Sequence, residues 1–88
     1  MVKDVALETN IYIFDARGVA RRFRHSAIFG AMAVLAPGEV MRFVNDHDPI
    51  PLIAQLRERL GDNLTVTYQQ NDTDLTVVDF GIRGALNK

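Results

Sequence analysis

Between residues 10 and 44 the apolar period of the chain changes twice, from a strand-like run to a helical spacing and back. A strand–helix–strand order restricts the possible connections: two parallel neighbours cannot be joined by a tight turn, so the helix is a right-handed crossover. The first run, Asn10–Phe14 (NIYIF), is rich in β-branched and aromatic residues, as strands are. Ile11 and Ile13 fall on one face and Tyr12 and Phe14 on the other. Two apolar faces predict a central strand buried on both sides. Asp15–Arg24 (DARGVARRFR) reads as a loop turning at Gly18. In His25–Leu35, residues Ile28, Ala31, Met32 and Leu35 recur at helical spacing, which predicts His25 on the same buried stripe, in the first turn. Ala36-Pro37-Gly38 stops that helix. Val40–Val44 is the second strand, with Met41 and Phe43 on one face and Val40, Arg42 and Val44 on the other.

The remainder follows the same logic. Asn45–Pro49 is a polar turn leading into a helix over Pro51–Leu60, whose core stripe is Leu52, Ile53, Leu56 and Leu60. Proline at its start and Gly61 beyond its end are the expected asymmetry. Leu64–Gln70 alternates as a half-buried strand, Asn71–Asp74 is a hairpin-type turn, and Leu75–Arg83 is the returning antiparallel strand. The order βαβαββ predicts an α+β fold. It is a two-layer α/β sandwich in which both helices cover one face of a mixed four-stranded sheet. The other face stays open, and apolar residues on it would need a partner. The domain spans residues 10–83, with 1–9 as a flexible lead-in and 84–88 as a C-terminal tail.

Composition removes several function classes. With no cysteine there is no disulfide framework, thiolate metal site or cysteine nucleophile. A formal net charge of −1 is not the footprint of a general nucleic-acid or membrane-surface binder, so nucleic acid is not expected as a partner. No window approaches the roughly 20 apolar residues of a membrane span, and the first residues do not read as a signal peptide, so the cytoplasm is the expected location.

A site, if present, has a place dictated by topology. Loops leaving neighbouring parallel strands lie at one sheet edge, which gathers Asp15, Arg17 and His25 with Asn45, Asp46, His47 and Asp48. Two helix N-termini open at the same edge and favour negative charge. Asn45–Pro49 also reads as plain helix-start chemistry, with Asp48 as N-cap, Pro49 at the first helical position, Asp46 as a competing cap and Asn45 holding a turn. That reading leaves His47 between two aspartates without a role. His25 and His47 with Asp46 or Asp48 match a two-histidine, one-carboxylate set for zinc, iron or manganese. The basic run Arg17, Arg21, Arg22, Arg24 suits phosphate or RNA, or is a solvated charged loop; Phe23 alone makes no stacking platform. Ser26 beside a histidine lacks a nucleophile elbow, and no glycine-rich phosphate loop is present, so catalysis is not expected.

Three stretches carry a family resemblance. Asp15-Ala-Arg-Gly18, Leu35-Ala-Pro-Gly-Glu39 and Asp48-Pro49 resemble the D-x-R-G, L-x-P-G-E and D-P of the TusA/SirA sulfur carriers, whose βαβαββ fold the span 10–83 would share. Arg24-His25, Leu35–Glu39 and Asn45–Pro49 (NDHDP) resemble more closely an uncharacterised sister group, the domain of unknown function family 2249. Members of that group stand alone or beside hemerythrin-like domains, which implies a redox or metal context. The carriers hold a persulfide on a cysteine shortly after R-G; here that position falls near Arg21, and persulfide chemistry is excluded because it needs a thiolate. The expected function is a non-catalytic module for a protein partner or small ligand. The alternatives are a redox accessory holding a divalent metal through His25 and His47, and an anion or RNA binder using Arg17–Arg24.

Overall fold

In the computed structural model, which describes residues 10–83, the strand-like and helical stretches alternate as their periods require. Strand β1 (Ile11–Asp15) passes through a single 3-10 turn, Ala16–Gly18, into helix α1 (Arg21–Val34). Strand β2 (Val40–Asn45), helix α2 (Ile50–Leu60), strand β3 (Leu64–Asn71) and strand β4 (Thr76–Ile82) follow. The strands form one sheet in the order β1-β2-β4-β3. β1 and β2 run parallel, while β4 is antiparallel to both β2 and β3. The fold is α+β with two helices on a mixed sheet, as the segment order predicts. The expected lead-in 1–9 and tail 84–88 lie outside the described residues.

Register explains where the core sits. Tyr12 and Phe14 stand opposite Met41 and Phe43, which stand opposite Phe80 and Val78, so one alternation runs across the sheet. Against it pack Ile28 and Met32 of α1 and Leu52, Ile53 and Leu56 of α2. Phe43 is central, its ring 6.3 Å from that of Phe14 and 5.7 Å from that of Phe80. Fully burying a side chain of this kind stabilises the fold by about 1.5–3 kcal/mol.

The opposite sheet face is organised by charge. Arg42 donates from Nε and Nη2 to the two carboxylate oxygens of Asp79 at 2.8 and 2.9 Å. The β3 register shifts between Tyr68 and Gln70, and Gln69 donates from Nε2 to Asp79 at 2.9 Å.

Four expectations are corrected. β1 is an edge strand, not a central one, and Ile13 is 73% exposed. The hairpin return of β4 takes the place beside β2, so the apolar residues of β1 meet only one neighbouring strand. α1 begins at Arg21 rather than His25; no glycine or proline lies between Gly18 and His25, arginine is a good helix former, and Arg24 Nε donates to the Val19 carbonyl at 2.8 Å. The basic segment 21–24 is therefore the first turn of a helix and not a loop. His25 is exposed instead of buried, because the buried stripe starts one turn later, at Ile28. α2 begins at Ile50, with Pro49 in the N-cap position and no side-chain cap, so Asp48 does not cap it. Among the described residues no helix is long and apolar enough to cross a membrane.

Candidate functional site

The start of α1 at Arg21 puts Arg21, Arg24, His25 and Ile28 on one stripe, at spacings of three, four and seven residues. That stripe faces the end of β2 and the start of α2 across a cleft of about 210 Å³. Ile28, Phe43 and Leu52, all buried, form its apolar floor. Arg21, Arg24 and His25 line it from α1, and Asn45 and His47 from the β2–α2 connection. Among the described residues no aspartate or glutamate lines it.

Asn45, 3% exposed, ties the two sides together. Its Nδ2 donates to the His47 carbonyl at 3.0 Å, and its Oδ1 accepts from Arg24 Nη1 at 3.3 Å. The turn-holding role expected of Asn45 is thus met. Arg24 is held in place by its Nε, which donates to the Val19 carbonyl at 2.8 Å. Among the described residues Arg21 makes no side-chain hydrogen bond or ion pair.

Each nearby carboxylate is held away from the helix N-termini. Asp15 accepts from Arg17 Nε and Nη2 at 2.9 and 2.7 Å and from the Arg17 amide at 3.0 Å. Those bonds lower its pKa to about 2. Asp46 sits on the cleft rim, where His47 Nδ1 donates to it at 2.6 Å and Arg24 Nη1 lies 4.0 Å away. The hydrogen bond from His47 is the main cause that lowers the Asp46 pKa, with burial opposing it. Asp48 accepts from the Tyr68 hydroxyl at 2.6 Å and from Asn71 Nδ2 at 3.1 Å, both on β3. The carboxylate next to the phenol raises the Tyr68 pKa. Neither α1 nor α2 has a side-chain cap or an acidic residue in its first turn.

The predicted constellation is therefore divided. His25, Asn45 and His47 share the cleft, Asp46 edges it, Asp15 and Arg17 form a self-contained pair at the end of β1, and Asp48 faces β3. The four proposed metal ligands do not converge. Among the described residues no group of three or more histidine, aspartate or glutamate side chains could hold a metal ion. The physical reason is that Tyr68 and Asn71 draw off Asp48, while His47 and Asp46 engage each other.

The family model described as Uncharacterized conserved protein (DUF2249) matches residues 13–81. The chain belongs to this family. No curated protein and no solved structure matches it. The DUF2249 match runs from β1 through β4 and so includes every residue that lines the cleft.

In this DUF2249 chain Arg21 and Arg24 were expected in a basic loop, as part of the alternative anion or RNA site Arg17–Arg24, and not beside His25 and Asn45–Asp48. Extending the Ile28 stripe backwards by one and two helical turns reaches Arg24 and Arg21, a signal present in the sequence. Tyr68 and Asn71 had no such signal. They sit on the far edge strand and reach Asp48 only through the sheet order and the β3 bulge.

Proposed function

We propose that this DUF2249 chain is a non-catalytic binding module whose site is the cleft between the N-terminal ends of α1 and α2. The observation that carries the reading is the convergence of Arg21, Arg24, His25 and His47 above a floor of Ile28, Phe43 and Leu52. Polar groups around an apolar base are the usual composition of a ligand site. The cleft is smaller than the roughly 300–1,000 Å³ of pockets for drug-sized molecules, which supports a small ligand. The resemblance to the TusA/SirA carriers fits the same place: the position near Arg21, where a carrier has its cysteine, belongs to the wall of the cleft. The site edge is retained in this reading, with guanidinium groups in place of a thiolate.

A fragment screen followed by backbone and imidazole NMR signals tests the proposal. Hits that shift His25, Asn45 and His47 together support it. Hits scattered over the surface, or none, reject it.

A protein partner is the second reading, supported by the edge of β1, which pairs with no further strand among the described residues. Beside it, Tyr12, Ile13, Val34 and Leu35 line an apolar groove of about 320 Å³. An extended apolar segment adding a strand to β1 would cover Ile13 and Val34, which are 73% and 80% exposed. Protection of the Ile11–Phe14 amides from hydrogen exchange on adding a short hydrophobic β-strand peptide would support this reading, and unchanged exchange would reject it.

A further inference from the structure

Resting on the cleft being a binding site, we infer that its ligand is a small organic anion, a carboxylate or phosphate monoester with a compact apolar body. The charge balance of the cleft selects the anion. Among the described residues two guanidinium groups line it and no carboxylate does. Arg24, with only 15% of its side chain exposed, is already oriented by Val19 and Asn45. Ordering such a side chain in advance lowers the cost of binding. Arg21 projects from the same helical face one turn earlier, so the two guanidiniums can meet one carboxylate or phosphate from two sides.

The helix termini point the same way. The first turn of α1 contains Arg21, Arg22 and Arg24 with no side-chain cap and no acidic residue. Positive charge at a helix N-terminus opposes the macrodipole, so this turn carries an electrostatic cost that an anion in the cleft would relieve. α2 opens at the same cleft, also uncapped, because Asp48 is occupied by Tyr68 and Asn71. Asp46, the one rim carboxylate, is engaged at 2.6 Å by His47 and stands 4.0 Å from Arg24, leaving Arg21 without a counter-charge among the described residues.

The floor specifies the rest of the ligand. Ile28, Phe43 and Leu52 lie beneath the cleft with Pro49 and Pro51 beside them, and an apolar lining of this kind gains nothing from a fully hydrated inorganic ion. A single ring or short branched chain attached to the anionic group would cover it, and the volume of about 210 Å³ excludes much more.

The test is an NMR titration of the full chain with benzoate, phenyl phosphate, inorganic phosphate, benzyl alcohol and benzylamine. Saturable shifts of His25, Asn45 and His47 by benzoate or phenyl phosphate, tighter than by benzyl alcohol or inorganic phosphate, are expected. The stronger of the two organic anions identifies the carboxylate or the phosphate source. Arg21→Gln should weaken that anion about tenfold, the loss of one charge-assisted contact, without changing benzyl alcohol binding. Among the described residues Arg21 has no partner whose loss would unfold the chain, and Arg24→Lys, retaining charge but not the bidentate fork, should weaken the anion as well. Benzyl alcohol or benzylamine binding the cleft as tightly as the anions would overturn the anion assignment while the binding cleft stands. Inorganic phosphate binding as tightly as phenyl phosphate would overturn the apolar body. Absence of any shift at millimolar concentrations of all five probes would overturn both the ligand class and the binding cleft.

Discussion

Asp48 accepts a 2.6 Å hydrogen bond from the hydroxyl of Tyr68, twenty residues further along and on the opposite side of the sheet order from β1. This contact, with Asn71 beside it, fastens the β2–α2 connection to β3 and keeps Asp48 from capping α2. Tyr68→Phe should lower the unfolding free energy by about 1 kcal/mol, the net worth of a partly exposed hydrogen bond. In that variant Asp48 is freed to approach the first turn of α2, so chemical shifts of Ile50–Leu52 should move while those of β1 stay. Urea unfolding and amide spectra of the two proteins check this, and an unchanged midpoint with unchanged shifts would show that the contact holds nothing in place.

The same pair has a basic-pH consequence. Accepting the phenol proton raises the Tyr68 pKa, so the neutral phenol is favoured in the folded state. Stability from this contact is then fully present below the unfolded tyrosine value of about 10 and is lost as pH rises through the higher folded value. Spectrophotometric titration should show Tyr68 ionising above an unfolded tyrosine, and Asp48→Asn should bring it back down.

Acid acts on the other side of the edge. Arg17 donates to both oxygens of Asp15, whose pKa falls from 3.8 to about 2. For a carboxyl depressed by folding, the contribution is present above the unfolded value and disappears as pH falls through the folded one. Carbon-detected titration should place the Asp15 midpoint at about 2, and Arg17→Ala should return it towards 3.8. A midpoint already at 3.8 in the parent chain would mean that the pair does not persist in solution.

These contacts mark the boundary of what could be read beforehand. The fold was legible because apolar period and breakers agree: Met41 and Phe43 alternate in β2, Ile28 and Met32 lie four apart in α1, and Pro37-Gly38 and Gly61 separate the elements. β1 was misplaced because burial on two faces and simple apolarity look alike in NIYIF, and only the sheet order distinguishes them. That His25, Asn45 and His47 gather around one cleft was legible from topology, which brings the ends of β1 and β2 together. Asp48 was not, since a short-range rule, Asp before Pro as a helix start, competed with a hydrogen bond made across the whole sheet and lost.

Asn45 provides a test of the cleft that is separate from its ligand. It is buried and bridges Arg24 to the His47 backbone through opposite ends of one amide. Asn45→Ala should cost about 1–3 kcal/mol, because the partners lose their hydrogen bonds at a site with little access to water. Asn45→Asp retains an oxygen for Arg24 but sets a carboxylate oxygen against the His47 carbonyl in a buried position, so it should be destabilising as well. Thermal denaturation checks both variants, and unchanged stability in Asn45→Ala would show that the bridge contributes little.

The open sheet face supplies the last expectation. Asp79, whose side chain is 12% exposed, is covered more deeply than Arg42 at 34%. Removing the guanidinium leaves a poorly hydrated carboxylate with only Gln69 as donor, whereas removing the carboxylate leaves an arginine that water can reach. Arg42→Met should therefore destabilise the chain at neutral pH more than Asp79→Asn does. The double variant Arg42→Met with Asp79→Leu should be more stable than Arg42→Met alone, as expected when a buried ion pair is replaced on both sides by apolar groups. A double-mutant cycle from urea unfolding gives the coupling directly; additive losses would show that the 2.8 Å contact is incidental to folding.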